Sequence, residues 1–537
     1  MNRIFILLSI FTFAITLYAQ PVPDWQWVIG AGGTSPDNGR SIVTDSSGNV
    51  YTTGNYAETA YFGILSLTSA GDNDVFVMKT NPSGIVQWVV SAGGTGTEYS
   101  YSLTLDGSGN IYITGVFQGT ASFGTISLTS NGGYDIFIAK LNNTGNWLWA
   151  VSAGGEQADY GLGICTQGSN LYVCGYFYNI ASFGSMSLTS SGQSDIFVAK
   201  LNTNGNWLWV TKAGGMSYDI SYDMLCDQDG NVHIAGYFSS SATFGTLSLT
   251  SSGDRDICVA KLNTEGTWLW ATKAGGSGWD AANGIARDNN GNIYVTGTFK
   301  LTATFGSYTL TTGTYNDIFV AKLNSSGSWS WARQAGGISS DYGNSVCVDP
   351  NGNVYVTGYY DGTASFGTLS LTTNGVADIF VTKLDTGGNW LWVKGAGGTN
   401  NDYGQDITLD TNGNLYVTGY LLGTAYFGTN SITSVTPGYA DIFIAKLSSA
   451  SAPATPLAPQ NLIITKSGND MLLEWNPVTE DTYGQPVTPD YYEVYYHPSD
   501  PYADLLPLGQ AAGTTYTHTG AALLTPGFYF VKAIKMD

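Results

Sequence analysis

Fourteen acidic residues recur at two fixed places along this chain, and their types and spacing could carry chemistry. One set is Asp37, Glu98, Asp159, Asp219, Asp280, Asp341 and Asp402; the second is Asp74, Asp135, Asp195, Asp256, Asp317, Asp378 and Asp441. Gathered on one face, they could hold Ca2+ or a cationic ligand, since hard cations take carboxylate oxygens. A few of them could also act as acid and base on a glycosidic bond. The competing reading is that each builds a turn by accepting backbone N–H bonds. Repetition favours the turn, because a demand of the fold repeats whereas a single site usually breaks symmetry. The dense Asp-x-Asp-x-Asp-Gly calcium loop is absent. No metal ligand and no catalytic residue is therefore assigned, and Ca2+ stays only as a cation the ring could hold.

Other reactive side chains keep the same period. Lys79, Lys140, Lys200, Lys261, Lys322, Lys383 and Lys446 each end a segment of type DIFVAKL and are expected to pair with the turn acids Asp45, Asp106, Asp227, Asp288, Asp349 and Asp410. Such exposed pairs contribute about 0–1 kcal/mol each. Thr166 stands where the third period should carry its turn acid, so that pair should be missing. Trp-x-Trp, as in Trp147 and Trp149, puts two indoles on one strand face; they suit carbohydrate stacking or packing between sheets, and repetition favours packing. Where the repeat is broken near the acids stand Tyr99, Tyr160, Trp279, Tyr342, Tyr403, Arg40 and Arg255. The tyrosines and Trp279, with the first acid ring, are the candidate binding residues. His233, His497 and His518 have no metal or triad spacing, and His233 replaces a repeated Tyr, which makes it core. Five cysteines form no metal motif. Cys165 and Cys174 flank a turn and could be bridged; buried free thiols are the favoured alternative, and Cys258 replaces a repeated Phe.

These residues must be positioned by a repeat. Ala-Gly-Gly begins at Ala31, Ala92, Ala153, Ala213, Ala274, Ala335 and Ala396, in steps of 60 or 61 residues. Each period holds short blocks rich in Val, Ile, Tyr, Phe and Thr, bounded by Gly, Asn and Asp, which predicts four strands. In the first period they fall near Ser41 to Asp45, at Asn49 to Tyr56, at Asp74 to Thr80, and on the tryptophan segment. A short extra strand of type SLTS is expected between the second and third. Four-stranded units of this size cover each other when stacked radially, which makes a β-propeller. Asp24 to Trp27 is a fourth strand with none before it, and Asp441 to Leu447 a third strand with no Trp-x-Trp after it. The first strand is therefore expected to complete the seventh blade.

The motifs GNxYVTGY, DIFVAKL and GNWLW resemble the seven-bladed β-propeller repeats of secreted bacterial proteins, over residues 24–448. The resemblance implies a fold and an extracytoplasmic setting, and no reaction. A linker follows at 449–459. Residues 460–537, with Trp475, the YYEVYY run and Tyr529 as a tyrosine-corner candidate, resemble a fibronectin type III sandwich lacking its last strand. Residues 1–19, with Arg3 before an apolar run, read as a secretory signal peptide. The formal net charge of −21 argues against nucleic acid and anionic membrane as partners. The expected protein is all-β, secreted or on the cell surface. It is a non-catalytic scaffold recognising a protein or glycan through the loop face of the propeller. The alternative is a carbohydrate-active hydrolase or lyase using carboxylates of that face.

Overall fold

The computed structural model describes residues 22–448, 459–467, 469–479, 488–497, 506–519 and 528–534. The expected signal peptide and all of the linker but its last residue lie outside them. The chain divides into two compact units, Met1–Ser449 and Ala450–Asp537. Both are all-β, and the first is built of propeller-like repeats.

In the first unit each period forms an antiparallel run of four strands. In the fourth period these are an inner strand Asp219–Cys226, two long strands Val232–Phe244 and Leu247–Leu262, and an outer strand Trp268–Gly276. Cys226 pairs with Val232, Val232 with Leu262, and Leu262 with Trp268. The two long strands run further than their sequence suggests. SLTS continues the third strand in five periods and stands as its own short strand in two, Ile126–Thr129 and Asn430–Thr433, and it pairs back to make a hairpin arm tipped by Phe-Gly. The arm bends at a bulge where Glu58, Asn179, Ser240 or Leu301 takes a positive φ, and where other periods carry Gly119, Gly362 or Gly423. Each arm pairs with the Ala-Gly-Gly of the preceding period: Gly32 opposite Tyr61, Gly214 opposite Thr243, Gly275 opposite Thr304.

The N-terminal strand Trp25–Gly33 pairs with Ala440–Leu447, Trp25 opposite Leu447 and Ile29 opposite Ile444. The inner strands touch one another in order, and the seventh, Asp402–Leu409, touches the first, Asn38–Thr44. The core is divided among the seams between periods. One cluster packs Tyr51, Val75 and Val77 against Leu103, Ile113 and Phe117; another packs Ile42 and Phe76 against Tyr416, Ile442 and Ile444. Trp-x-Trp belongs to these seams. The first indole meets the arm Phe edge-on, as Trp268 meets Phe244 at 5.1 Å, and donates to the preceding outer strand, Trp268 Nε1 to Lys212 O at 3.2 Å.

The second unit has two three-stranded sheets among the described residues. One joins Ile463–Ser467, Asp470–Glu474 and Thr515–His518; the other joins Leu506–Ala511, Tyr491–His497 and Phe528–Ile534. Trp475 is buried with Leu473, Tyr492 and Val494 between them. The hydroxyl of Tyr529, the expected corner tyrosine, lies 3.0 Å from His518 Nδ1, and the backbone just upstream of Tyr529 lies outside the described residues.

Candidate functional site

The first acid ring sits at the start of the inner strands, and its members are buried. Asp280 accepts from Gly276 N (2.9 Å) on the preceding outer strand and from Lys300 N (3.0 Å) at the arm bulge of its own period. Asp37, Asp159, Asp219, Asp341 and Asp402 repeat both bonds. Glu98 keeps the bond from Gly94 N, and its Oε1 has no partner. The ring, expected to be part of a binding surface, is thus buried and bonded into the scaffold. Burial, opposed by these amides, pushes all seven up to about 7.

The second set is buried beside the first. In each of its seven aspartates Oδ1 has no hydrogen-bond partner. The first glycine of Ala-Gly-Gly lies between the two carboxylates: a Cβ on Gly275, at φ +145°, would come within 2.8 Å of Asp256 Oδ1 and 2.9 Å of Asp280 Oδ2. The second glycine meets the neighbouring arm, since a Cβ on Gly276 would lie 1.7 Å from Thr302 O. Both glycines are needed for the seam to close. Among the described residues no three His, Cys, Asp or Glu side chains converge as metal ligands would.

The lysines also depart from expectation. Six sit over a tyrosine ring, as Lys140 does over Tyr112 at 4.9 Å, while that tyrosine donates to the turn acid, Tyr112 Oη to Asp106 Oδ2 at 3.0 Å. Only where His233 replaces the tyrosine does the lysine reach the acid: Lys261 to Asp227, 3.0 Å. Burial pushes His233 down to about 3, so it is neutral. In the third period the pairing Gln167 opposite Asn170 puts Gln167, and not Thr166, at the turn-acid position, in a turn one residue shorter. The Tyr172 hydroxyl there has no partner. Cys165 is bonded to Cys226, one period on, with Cα atoms 6.0 Å apart; Cys174, Cys258 and Cys347 are free. The bridge therefore staples two inner strands instead of crossing one hairpin to Cys174.

The same end of the inner strands carries the selected aromatics, and they associate. Tyr160 stacks on Tyr176 at 4.7 Å, Tyr342 stacks on Tyr359 at 4.9 Å, and Tyr403 meets Tyr359 edge-on at 4.4 Å. Tyr99 leans on Tyr101 and Tyr134. Trp279 and Tyr237 both flank the Arg255 guanidinium, at 5.5 and 4.6 Å. Tyr101, Tyr134, Tyr176, Tyr237 and Tyr359 were not legible as members. Tyr176, Tyr237 and Tyr359 lie on second strands, opposite Tyr160, Ile220 and Tyr342. Tyr101 sits at a register shift that recurs in every inner strand: between Gly39 and Ser41, Ser100 and Ser102, Ser221 and Asp223, and so on. A bulge re-aims a side chain. The bulged residue is also the least uniform in chemistry: Arg40, Tyr101, Leu162, Tyr222, Asn283, Asn344 and Gln405. Asn283 and Asn344 donate to the next inner strand, at Gly343 O and Gly404 O. One position further, Asp223 and Asp406 break the repeat as half-buried acids. Each accepts from the next inner strand, at Ile285 N and Ile42 N, and burial raises both, Asp223 to about 7.

The family model SBBP, described as a beta-propeller repeat, matches residues 26–55, 269–298, 330–362 and 391–420. A WD repeat-containing protein of Acanthamoeba polyphaga mimivirus, described as uncharacterized, is 24% identical over 496 residues, 73% of this chain and 36% of that one. Regulatory protein FlaEY of Caulobacter vibrioides is 24% identical over 292 residues, 50% of this chain and 30% of its own. The chain spans about a third of the length of these relatives. Among solved structures, the WD40 beta propeller domain of Doa1 aligns at TM-score 0.40 and 11% identity, covering 80% of this chain and 99% of that one. A gluconolactonase from Xanthomonas campestris aligns at TM-score 0.30 and 10% identity, covering 79% and 98%. Likeness at that level carries no argument about activity. Four stretches of this chain thus match a beta-propeller repeat model, in keeping with the propeller-like repeats of its first unit.

Proposed function

We propose that the first unit is a seven-bladed β-propeller shut by its own N-terminal strand, and that it is a non-catalytic binding scaffold. Its ligand is a glycan or protein, held at the tyrosine-rich mouth formed by the inner-strand starts. Seven periods, inner strands in contact from first to seventh, and the pairing of Trp25–Gly33 with Ala440–Leu447 support the blade count. The second unit is proposed as a fibronectin type III-like spacer, on the strength of two small sheets around Trp475. Export to the surface or medium suits the apolar run of residues 1–19 and the Cys165–Cys226 bridge, since disulfides persist in oxidising compartments.

The observation that carries the reading is the division of labour at the mouth. The first ring of acids is spent on backbone amides, while the variable residues include Tyr, Trp, Arg and Asn, types that supply contact area and hydrogen bonds at recognition surfaces. The test is a binding screen on glycan and peptide arrays with the wild type and a Tyr160→Ala, Tyr342→Ala variant of unchanged melting temperature. Binding lost in the variant supports the reading; no binding by either protein overturns it. A hydrolase or lyase would instead rest on Asp223 and Asp406, and turnover of a polysaccharide that disappears in Asp223→Asn would establish it.

A further inference from the structure

At the mouth the Arg40 guanidinium stands without an ion-pair partner among the described residues. A cavity of about 320 Å3 is lined by Pro36, Asn38, Arg40, Asn55, Asn73, Tyr99 and Tyr101. That is the lower end for small-ligand sites, roughly 300–1,000 Å3. Arg40 occupies the bulged position of the first inner strand, so its direction is set by the backbone. Its Nε is buried without a hydrogen-bond partner, and it makes no ion pair among the described residues. Nor does a tyrosine face quench it, as happens to Arg255. Beside it Asn55, 1% exposed, donates to Asn73 Oδ1 (2.9 Å) and leaves its own Oδ1 without a donor. No other period offers this set: the residue matching Asn55 is Val116, Tyr176, Tyr237, Thr298, Tyr359 or Tyr420.

We propose that this cavity is the subsite for a carboxylate-bearing sugar, a uronic acid residue of an acidic glycan, an assignment that rests on the binding reading above. A buried donor and a buried acceptor left open in the lining of one cavity call for a ligand carrying both an anion and hydroxyl groups. A guanidinium grips a carboxylate through two parallel N–H bonds. The Asn55 oxygen then takes a sugar hydroxyl, and the rings of Tyr99 and Tyr101 cover the apolar face of the sugar. A peptide carboxylate would satisfy Arg40 but bring no hydroxyl to Asn55.

The experiment is titration calorimetry of the full chain with an oligoglucuronate, its methyl ester, a neutral glucose oligomer of equal length and a short unblocked peptide. The expected result is that the oligoglucuronate binds at least about tenfold tighter than its ester or the neutral oligomer, and that Arg40→Gln removes that advantage while Arg40→Lys restores part of it. Asn55→Ala should weaken all sugars alike. Equal binding of acid and ester, or an advantage that survives Arg40→Gln, overturns the subsite. Should Arg40→Gln not fold, the acid-to-ester comparison on the wild type decides alone. If the neutral sugar or the peptide binds, is lost in Tyr160→Ala, Tyr342→Ala and ignores Arg40, the subsite falls and the broader reading stands.

Discussion

Replacing one ring acid measures how much the seams depend on it. Asp280→Ala strips acceptors from Gly276 N and Lys300 N, both inside the seam. A buried amide left unpaired costs about 1–3 kcal/mol, so the pair is worth about 2–6 kcal/mol. An opposing term depends on pH. Burial, helped by Asp256, holds Asp280 at about 7 instead of 3.8. An acid with a raised folded value binds its proton more tightly when folded, so its contribution to stability falls as pH rises from about 4 to 7 and stays low above that. By that linkage the ionised wild type gives back up to about 4 kcal/mol. The cost of Asp280→Ala should therefore be larger at pH 5 than at pH 8. Asp280→Asn, which keeps one acceptor and no charge, should cost less than alanine at pH 5. Hydrogen exchange read by mass spectrometry, with denaturant midpoints at both pH values, checks this. Protection should fall at Gly276 and Lys300 first. A loss below 1 kcal/mol at pH 5, or a larger loss at pH 8 than at pH 5, refutes the account.

Other outcomes follow from the same contacts. The whole first unit should melt higher at pH 5.5 than at pH 8, because all seven ring acids are raised to about 7; a melting curve flat across that range would contradict it. The turn acids Asp106, Asp227 and Asp288 oppose this only below pH 4: burial raises them, their turn hydrogen bonds outweigh it, and their contribution is lost as pH falls through their lowered values. Cys165→Ser with Cys226→Ser opens a 61-residue loop and should cost up to about 4 kcal/mol, and a non-reducing peptide map should join those two cysteines and no others. His233→Tyr should be neutral or stabilising by about 1 kcal/mol, because a tyrosine there can donate to Asp227 as five of its six counterparts donate to their turn acids; a loss above 2 kcal/mol on thermal unfolding would show that the pocket has adapted to imidazole.

What could be read from the chain was whatever depends on neighbours in sequence. The strands near Asn49 to Tyr56 and Asp74 to Thr80, the Asp-x-x-Gly-Asn turns and the count of periods all follow from local alternation and turn chemistry. What escaped depends on residues one period away. The partner of Cys165 is 61 residues on, and no local rule prefers it to Cys174 nine residues away. The lysine–tyrosine–acid stack was missed because charge alone suggested a direct ion pair, whereas the ring lies between. The turn-acid position of the third period falls at Gln167 instead of Thr166 for the same reason: only the strand pairing fixes which side chain takes the acid's place. In the second unit the strand Leu506–Ala511 carries little signal of its own in the sequence, because Pro507 and Gly509 weaken it.

The inner-strand bulge ties these points to function. A side chain identical in seven periods meets the same neighbours in each, so the scaffold can and does consume it: ring acids on amides, tryptophans on arm phenylalanines, lysines on tyrosines. Recognition needs side chains the scaffold has not consumed. The bulged position supplies them, because its backbone pairing is already broken and the sheet does not constrain what it carries. Two of its seven residues, Asn283 and Asn344, are still spent on the next strand. Arg40 is not, and it stands in a chain with 19 basic residues against 40 acidic ones, where an unpaired guanidinium had many carboxylates to choose from and found none. The asymmetry of the mouth is therefore sharpest at Arg40, and a ligand that ignores it would have to bind where the repeat leaves the least to hold.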